Sequence, residues 1–234
     1  MFENIIKNVH NRHPLIHCIT NYVSINDCAN IVLACGGAPI MAEDINEVSQ
    51  ITSICQGLDI NIGMLNDNKL SSMLKAGATA NELGIPVILD PVGAGSSDYR
   101  IKAVQNLMSN VQFGVIRGNV SEIKAIAAKQ GIHNIAAGVY ETMQKNKSAM
   151  GVEAGIADKI TDDNIKEMAD FINKLSQKTG AVIAVTGGID MVADENRVYA
   201  IRNGHKMMSL VTGAGCQLSA LTSAYVAADK EHIL

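Results

Sequence analysis

Short apolar runs recur along the chain between longer stretches whose apolar residues follow a helical period. Pro14–Ile19, Ala38–Met41, Leu58–Gly63, Val87–Leu89, the run ending at Arg117 and Ala181–Thr186 are strand candidates. The runs at 87–89 and 181–185 are continuously apolar, as expected of parallel strands buried on both faces. Between them, residues 4–12, 25–34, 45–57, 69–84, a segment opening at Asn119, 162–178 and a segment from Gln217 onward predict helices. Gly84 supplies a C-terminal cap, and Asp162 and Asp163 favour the start of the helix they precede. Residues 190–194 and 198–201 read as a hairpin across Glu195-Asn196. From Gly131 to Gly155 the pattern loosens into a partly helical insertion. Strand–helix alternation of this kind predicts an α/β fold in three layers, with a mostly parallel central sheet and helices on both faces.

Composition narrows the class. With 234 residues, 47% hydrophobic and 18% charged, the chain can form one well-buried domain over its whole length, 1–234. A net charge of −4 without a basic concentration argues against nucleic acid and anionic membranes as partners. Aromatic residues at 3%, with no Trp, argue against base stacking. The cysteines at 18, 28, 35, 55 and 216 are odd in number and form no CxxC pair, which suits reduced thiols in a cytosol. The N-terminal residues lack a signal core and no apolar run is long enough to span a bilayer, so a cytoplasmic location is expected.

The strongest chemical signal is Thr212-Gly213-Ala214-Gly215-Cys216, a glycine turn that feeds a helix. Gly213 and Gly215 permit positive φ and close backbone approach, and a helix N-terminus aims free N–H groups at one point, where an anion fits. Cys216 closes the turn as a thiol beside that point; the same residues also suit a plain turn with a buried Cys. Other candidates stand at strand ends, where open parallel sheets place ligand groups. Asn21 follows the first strand, as a polar contact or a self-bonded turn residue. Met41 ends the second, as pocket lining or core filler. Asp90 ends the Val87–Leu89 strand before Pro91 and the Gly93/Gly95 loop, as a Mg²⁺ or water holder or a turn residue. Arg117 offers a forked donor for phosphate oxygens. Asn119 and Glu122 form a capping-box-like pair, and Glu122 can alternatively face a metal shell shared with Asp90. Thr186 can donate to a phosphate.

Taken together, Ile19-Thr20-Asn21-Tyr22-Val23, Ala38-Pro39-Ile40-Met41, Asp90-Pro91-Val92-Gly93-Ala94-Gly95, Arg117-Gly118-Asn119-x-x-Glu122, Ala184-Val185-Thr186-Gly187 and Thr212–Cys216 resemble, in order, the hydroxyethylthiazole kinases of the ribokinase-like superfamily. The resemblance spans nearly the whole chain. It implies a ribokinase-like fold, ATP and Mg²⁺ as cofactors, and phosphorylation of the primary hydroxyl of 4-methyl-5-(2-hydroxyethyl)thiazole in thiamine salvage by a homotrimer. Carried over by position, Met41, Gly213 and Asn21 are the thiazole contacts. Arg117, Thr186, Asn119 and Gly215 belong with ATP, and Asp90 and Glu122 with Mg²⁺. Cys216 orients the hydroxyl and accepts its proton late, where most ribokinase-like enzymes carry Asp. Members of the family continue through further helices beyond the point that corresponds to Leu234, so C-terminal helices are expected to be missing here. The alternatives are another ribokinase-like small-alcohol kinase, such as one for hydroxymethylpyrimidine, and a non-catalytic thiazole-binding relative.

Overall fold

The computed structural model describes residues 2–132 and 159–229. In order these form α1 (Phe2–Arg12), β1 (Leu15–Ile19), α2 (Ile25–Ala34), β2 (Ala38–Ile40), α3 (Val48–Ser53), β3 (Gly57–Asn61), α4 (Asp67–Glu82), β4 (Val87–Asp90), α5 (Asp98–Asn110), β5 (Val115–Asn119) and α6 (Val120–Lys129). They are followed by α7 (Ile165–Thr179), β6 (Val182–Thr186), β7 (Asp190–Ala193), β8 (Val198–Ile201), a short 3₁₀ turn (Lys206–Leu210) and α8 (Ala214–Ala228). The strands make one eight-stranded sheet in the order β2-β1-β3-β4-β5-β6-β7-β8. Strands β1 to β6 pair in parallel, while β7 and β8 are the expected antiparallel hairpin. The expected insertion at 131–155 falls, beyond Ile132, outside the described residues.

The period of two along each strand divides the side chains between two helical layers. Ile19, Leu58, Ile60, Val87, Leu89, Ile116, Ile183 and Val185 point into the larger core, which includes Met73 of α4, Leu107 of α5, Ile123 of α6 and Phe171 of α7. Ile16 and Cys18 point the other way, onto Cys28 and Val32 of α2 and Cys216, Ala220 and Ala224 of α8. Helix α8 comes close to the sheet because its buried face is built of Ala and Ser, and Gly57 of β3 leaves room for Ala227. Arg12 of α1 donates to the Ala228 carbonyl at 2.6 Å, so α1 also lies on this face. Fully burying each Ile, Leu or Phe contributes about 1.5–3 kcal/mol. The larger layer therefore carries most of the stability, while the thinner layer under α8 carries the polar groups.

Several boundaries differ from the sequence expectation for local reasons. Asp44 accepts from the Asn46 N–H at 2.8 Å and turns residues 44–47, so helix α3 is shorter than 45–57. Asn66 caps α4 through the Lys69 N–H, which starts that helix at Asp67. Helix α5, to which the hydrophobic pattern assigned nothing, is capped by Ser97 and buries only Ala103, Val104 and Leu107. Helix α8 begins at Ala214, three residues before Gln217, because Gly213 adopts φ +79° and turns the chain directly into it.

Asp59 is the exception to this layering. It lies in the middle of β3, fully buried, and neither of its carboxyl oxygens has a hydrogen-bond partner. Burial and then the charge of Asp90 push its pKa well above the ordinary carboxylate range, against the opposing pull of Arg117. Its other charged or titratable neighbours are the thiols Cys18 and Cys28. A raised folded pKa means that the native state holds the proton more tightly. The stability contributed by that proton is complete below the ordinary carboxylate pKa of about 4 and is lost as pH rises toward the folded value. Asp59→Val, of similar size, should therefore be more stable than the parent by about 2 kcal/mol at pH 8, with a smaller gap at pH 5. Denaturant unfolding at the two pH values measures this, and a variant no more stable than the parent at pH 8 disproves it.

Candidate functional site

Strand register brings the site together. Strand β1 connects to β2 on one side of the sheet and pairs with β3 on the other, so a crevice opens at the carboxyl ends of β1 and β3. Asn61 pairs with Asp90 across β3 and β4, and Asn119 with Thr186 across β5 and β6. Leu89 pairs with Ile116, which sets Asp90 beside Arg117 at the next position. Asn61, Asp90 and Arg117 turn toward α8, beneath its N-terminus, where Ser219 and Gly215 meet them.

A continuous polar chain follows. Asn21 Nδ2 donates to Cys216 Sγ at 3.2 Å and to Asn61 Oδ1 at 3.1 Å. Asn61 Nδ2 donates to Asp90 Oδ2 at 2.9 Å, which also accepts from Ser219 Oγ at 2.9 Å. Arg117 Nη1 lies 3.8 Å from the same oxygen, and Arg117 Nη2 donates to Thr186 Oγ1 at 2.6 Å. Asp90 Oδ1 and Arg117 Nε are buried and have no partner. A Cβ on Gly215 would stand 2.7 Å from Arg117 Nη1, so only glycine there leaves the guanidinium in place. A Cβ on Gly213 would likewise meet Ser24 Cβ at 2.8 Å, besides straining the positive φ. No side chain caps α8; the Ala214 N–H donates to the Val211 carbonyl at 3.4 Å, and the N–H groups of Gly215 and Cys216 are the ones left to face a ligand.

Electrostatics sharpen the picture. Burial raises the pKa of Asp90, opposed by Arg117, Ser219 and Asn61. Burial and the charge of Asp90 raise that of Glu122, opposed by N–H donors and Arg117. The Cys216 thiol is raised by burial and by Asp90, against the hydrogen bonds from Ser24, Asn21 and Asn61. Two acids thus share one guanidinium, a deficit of positive charge that suits a cation. Glu122 accepts from Gly93 N with one oxygen and from Asn119 N with the other, both at 2.8 Å, and Asn119 Oδ1 takes the Glu122 N–H at 2.9 Å. The capping box is complete, so Glu122 has a full structural role and offers only its remaining lone pairs. Among the described residues no group of three or more His, Cys, Asp or Glu could hold a metal alone. Mg²⁺, which commonly uses one or two carboxylates together with waters and phosphates, nevertheless fits the free Asp90 Oδ1.

The loops that carry Asn21 and Met41 are held by His17, Thr52, Lys69 and Glu43, which no sequence pattern singled out. Met41 packs against the cluster that contains Cys216. The carbonyl of Ala42, next in the chain, accepts from His17 Nε2 at 2.8 Å, and Thr52 meets His17 Nδ1 at 2.9 Å. Burial lowers the His17 pKa, partly offset by the Ala42 bond, so the ring is neutral with its proton on Nε2. Lys69, buried at the start of α4, pairs with Glu43 at 2.7 Å and donates to the Thr20 carbonyl. The loops after β1 and β2 are thereby tied to α4. Asn61 was recognisable only as a polar residue near a strand end, and Ser219 carried no signal at all.

Comparison with known proteins agrees with this geometry. The model of the hydroxyethylthiazole kinase family matches residues 6–161 and 132–234. A hydroxyethylthiazole kinase of Clostridium acetobutylicum is 52% identical over 229 residues, covering 98% of this chain and 78% of the relative. The solved hydroxyethylthiazole kinase of Pyrococcus horikoshii superposes with a TM-score of 0.80 at 33% identity, covering 96% of this chain and 75% of that one. At 15% identity and a TM-score of 0.59, Bacillus subtilis pyridoxal kinase shares the fold, covering 94% of this chain and 85% of its own. The cysteines at 18, 28, 35, 55 and 216 are free, and among the described residues no helix is long and apolar enough to cross a membrane. By motif, by sequence and by structure, the chain belongs to the hydroxyethylthiazole kinase family.

Proposed function

We infer that the protein transfers the γ-phosphoryl group of ATP to the primary hydroxyl of 4-methyl-5-(2-hydroxyethyl)thiazole, a step of thiamine salvage. The observation that carries the reading is the convergence, at one sheet edge, of Cys216, Asp90, Arg117 and the uncapped N-terminus of α8. Phosphoryl transfer needs charge compensation and alignment more than covalent help. The acceptor oxygen forms a bond to Pγ, the bond from Pγ to the bridging oxygen breaks, and ADP leaves. The Gly213–Cys216 turn offers N–H donors to the phosphate oxygens, and Arg117, held by Thr186, offers a fork of positive charge. Asp90, together with Glu122, would hold Mg²⁺, which would supply further charge compensation. On the other side, Met41, Gly213 and Asn21 are the residues assigned to the thiazole, and Asn119 keeps the β5–α6 corner in shape. Cys216 orients the hydroxyl, and in its thiolate form takes the alcohol proton late in the transfer.

Phosphorylation of the thiazole alcohol and of hydroxymethylpyrimidine, measured side by side with ATP, tests the assignment; preferential conversion of the pyrimidine would sink it. In the same assay Cys216→Ala should lose about tenfold or more in turnover, whereas Cys216→Asp should retain or exceed the parent rate. An inactive Asp variant that still binds the thiazole removes the proton-accepting role.

Gly215→Ala isolates the nucleotide side. The new methyl group pushes the Arg117 guanidinium aside, so the KM for ATP should rise about tenfold, equivalent to about 1.4 kcal/mol, while the KM for the thiazole alcohol holds. Equal changes in both constants contradict the assignment of Arg117 to the nucleotide.

The homotrimer belongs to the same reading. It is supported by the exposed apolar side chains Met207, Met208, Leu210 and Val211, which directly precede the Gly213 turn. Sedimentation equilibrium should give three times the 24.8 kDa chain mass, and a monomer at micromolar concentration rules the trimer out.

A further inference from the structure

Asn61 is fully buried at the end of β3, and its amide has a single satisfactory orientation. Its oxygen accepts from Gly63 N at 2.9 Å and Asn21 Nδ2 at 3.1 Å, and its nitrogen donates to Asp90 Oδ2 at 2.9 Å. A flipped amide would set donors against donors and an oxygen against a carboxylate. Asn21 is fixed in the same way, because its oxygen accepts from Ser24 N at 3.2 Å and Ser24 Oγ at 3.1 Å. Its NH₂ group is thereby committed to Asn61 and to Cys216 Sγ. On Asp90 every neighbour, Asn61, Ser219 and Arg117, lies on Oδ2. The carboxyl plane is locked, and Oδ1 is left buried, unpaired and aimed in one direction. The donors therefore run outward from two amides to two groups at opposite ends of the site.

We propose that Asn61 is a positioning residue for the phosphoryl transfer. It holds Asp90 with one oxygen free and, through Asn21, holds Cys216, so that one amide sets the spacing between the phosphate end and the acceptor end. The inference rests on the kinase reading above, and it assigns Asn61 no contact with either substrate. An ordinary structural tie between strands would lower stability without a pattern in the binding constants. A positioning amide acts on both ends, whereas each of its neighbours acts on one.

The test compares the parent chain with Asn61→Ser, Ser219→Ala and Asn21→Ala. Two quantities are read: the Mg²⁺ concentration that half-saturates binding of a non-hydrolysable ATP analogue, and the KM for the thiazole alcohol. Ser219→Ala should raise only the first and Asn21→Ala only the second. Asn61→Ser should raise both and lower kcat about 10- to 100-fold, the range seen when outer-shell partners of ligating groups are removed. The inference is overturned if Asn61→Ser shifts only the melting temperature, or only one of the two constants. If that variant loses its cooperative melt, Asn61→Thr replaces it, since its hydroxyl cannot span both partners, and the same outcomes decide. If the parent chain does not phosphorylate the thiazole alcohol, the kinase assignment fails by itself. The Mg²⁺ titration of analogue binding then decides for Asn61, and equal half-saturation in parent and variant refutes it.

Discussion

The structure around the site depends on one buried charge, the carboxylate of Asp90, held by two neutral donors and faced by the Arg117 guanidinium at 3.8 Å. A carboxylate without access to water is costly unless hydrogen bonds and an opposite charge surround it. Here the donors come from β3 and α8 and the cation from β5. Asp90 can therefore remain ionised only if the sheet register and the seating of α8 are both correct. The small residues of α8 and the two glycines of its N-terminal turn follow from that demand. Larger side chains would lift Ser219 away from Asp90 or push Arg117 out of line.

The remaining site residues follow from topology. At the crevice between β1 and β3 the chain leaves the sheet in both directions, and the loops after β1 and β2 meet above it. These loops carry Asn21 and Met41. They are not free segments, since Lys69 pairs with Glu43 and reaches the Thr20 carbonyl, while His17 holds the carbonyl next to Met41. The proposed thiazole contacts Asn21 and Met41 are thus on loops, and the side chains that hold those loops, His17 and Lys69, are on the sheet and on α4. Precision at the reacting centre then comes from regular elements rather than from the loops themselves.

Much of this was legible in the sequence. The apolar runs identify the parallel strands because burial on both faces demands continuous hydrophobicity, and Asp90, Arg117 and Thr186 are conspicuous as polar residues that close such runs. The glycine turn before Cys216 is legible for a similar reason, since two closely spaced glycines ahead of a helix signal a tight turn with close backbone approach. Less was visible where tertiary contacts decide. Asn61 looks like any strand-end amide until register sets it against Asp90. Ser219 is one small residue among many on a helix whose role depends on how deeply it sits. Helix α5, with only a narrow buried stripe, was hidden by the polar residues around it. Glu122 shows the opposite limit: its spacing from Asn119 announced a capping box, which the structure contains, and the same spacing could not say how much of the carboxylate remained for a ligand.

Charge also explains why a thiol is compatible with position 216. Asp59 and Glu122 each lie within electrostatic reach of Asp90, with Arg117 the cation that opposes all three. Asp59 relieves this by holding its proton, and Glu122 by accepting two backbone N–H groups, which leaves Asp90 as the anion best placed to remain charged. A neutral side chain at 216 adds nothing to that negative field, so the free energy available from a bound cation and from phosphate is not consumed in neutralising the protein. A carboxylate at the same point would feel Asp90 directly and titrate upward, toward the range in which an acid can accept a proton from an alcohol. The thiol and the carboxylate are therefore two solutions to one electrostatic problem. The thiol keeps the empty site closer to neutrality, and the carboxylate gains basicity together with more buried negative charge.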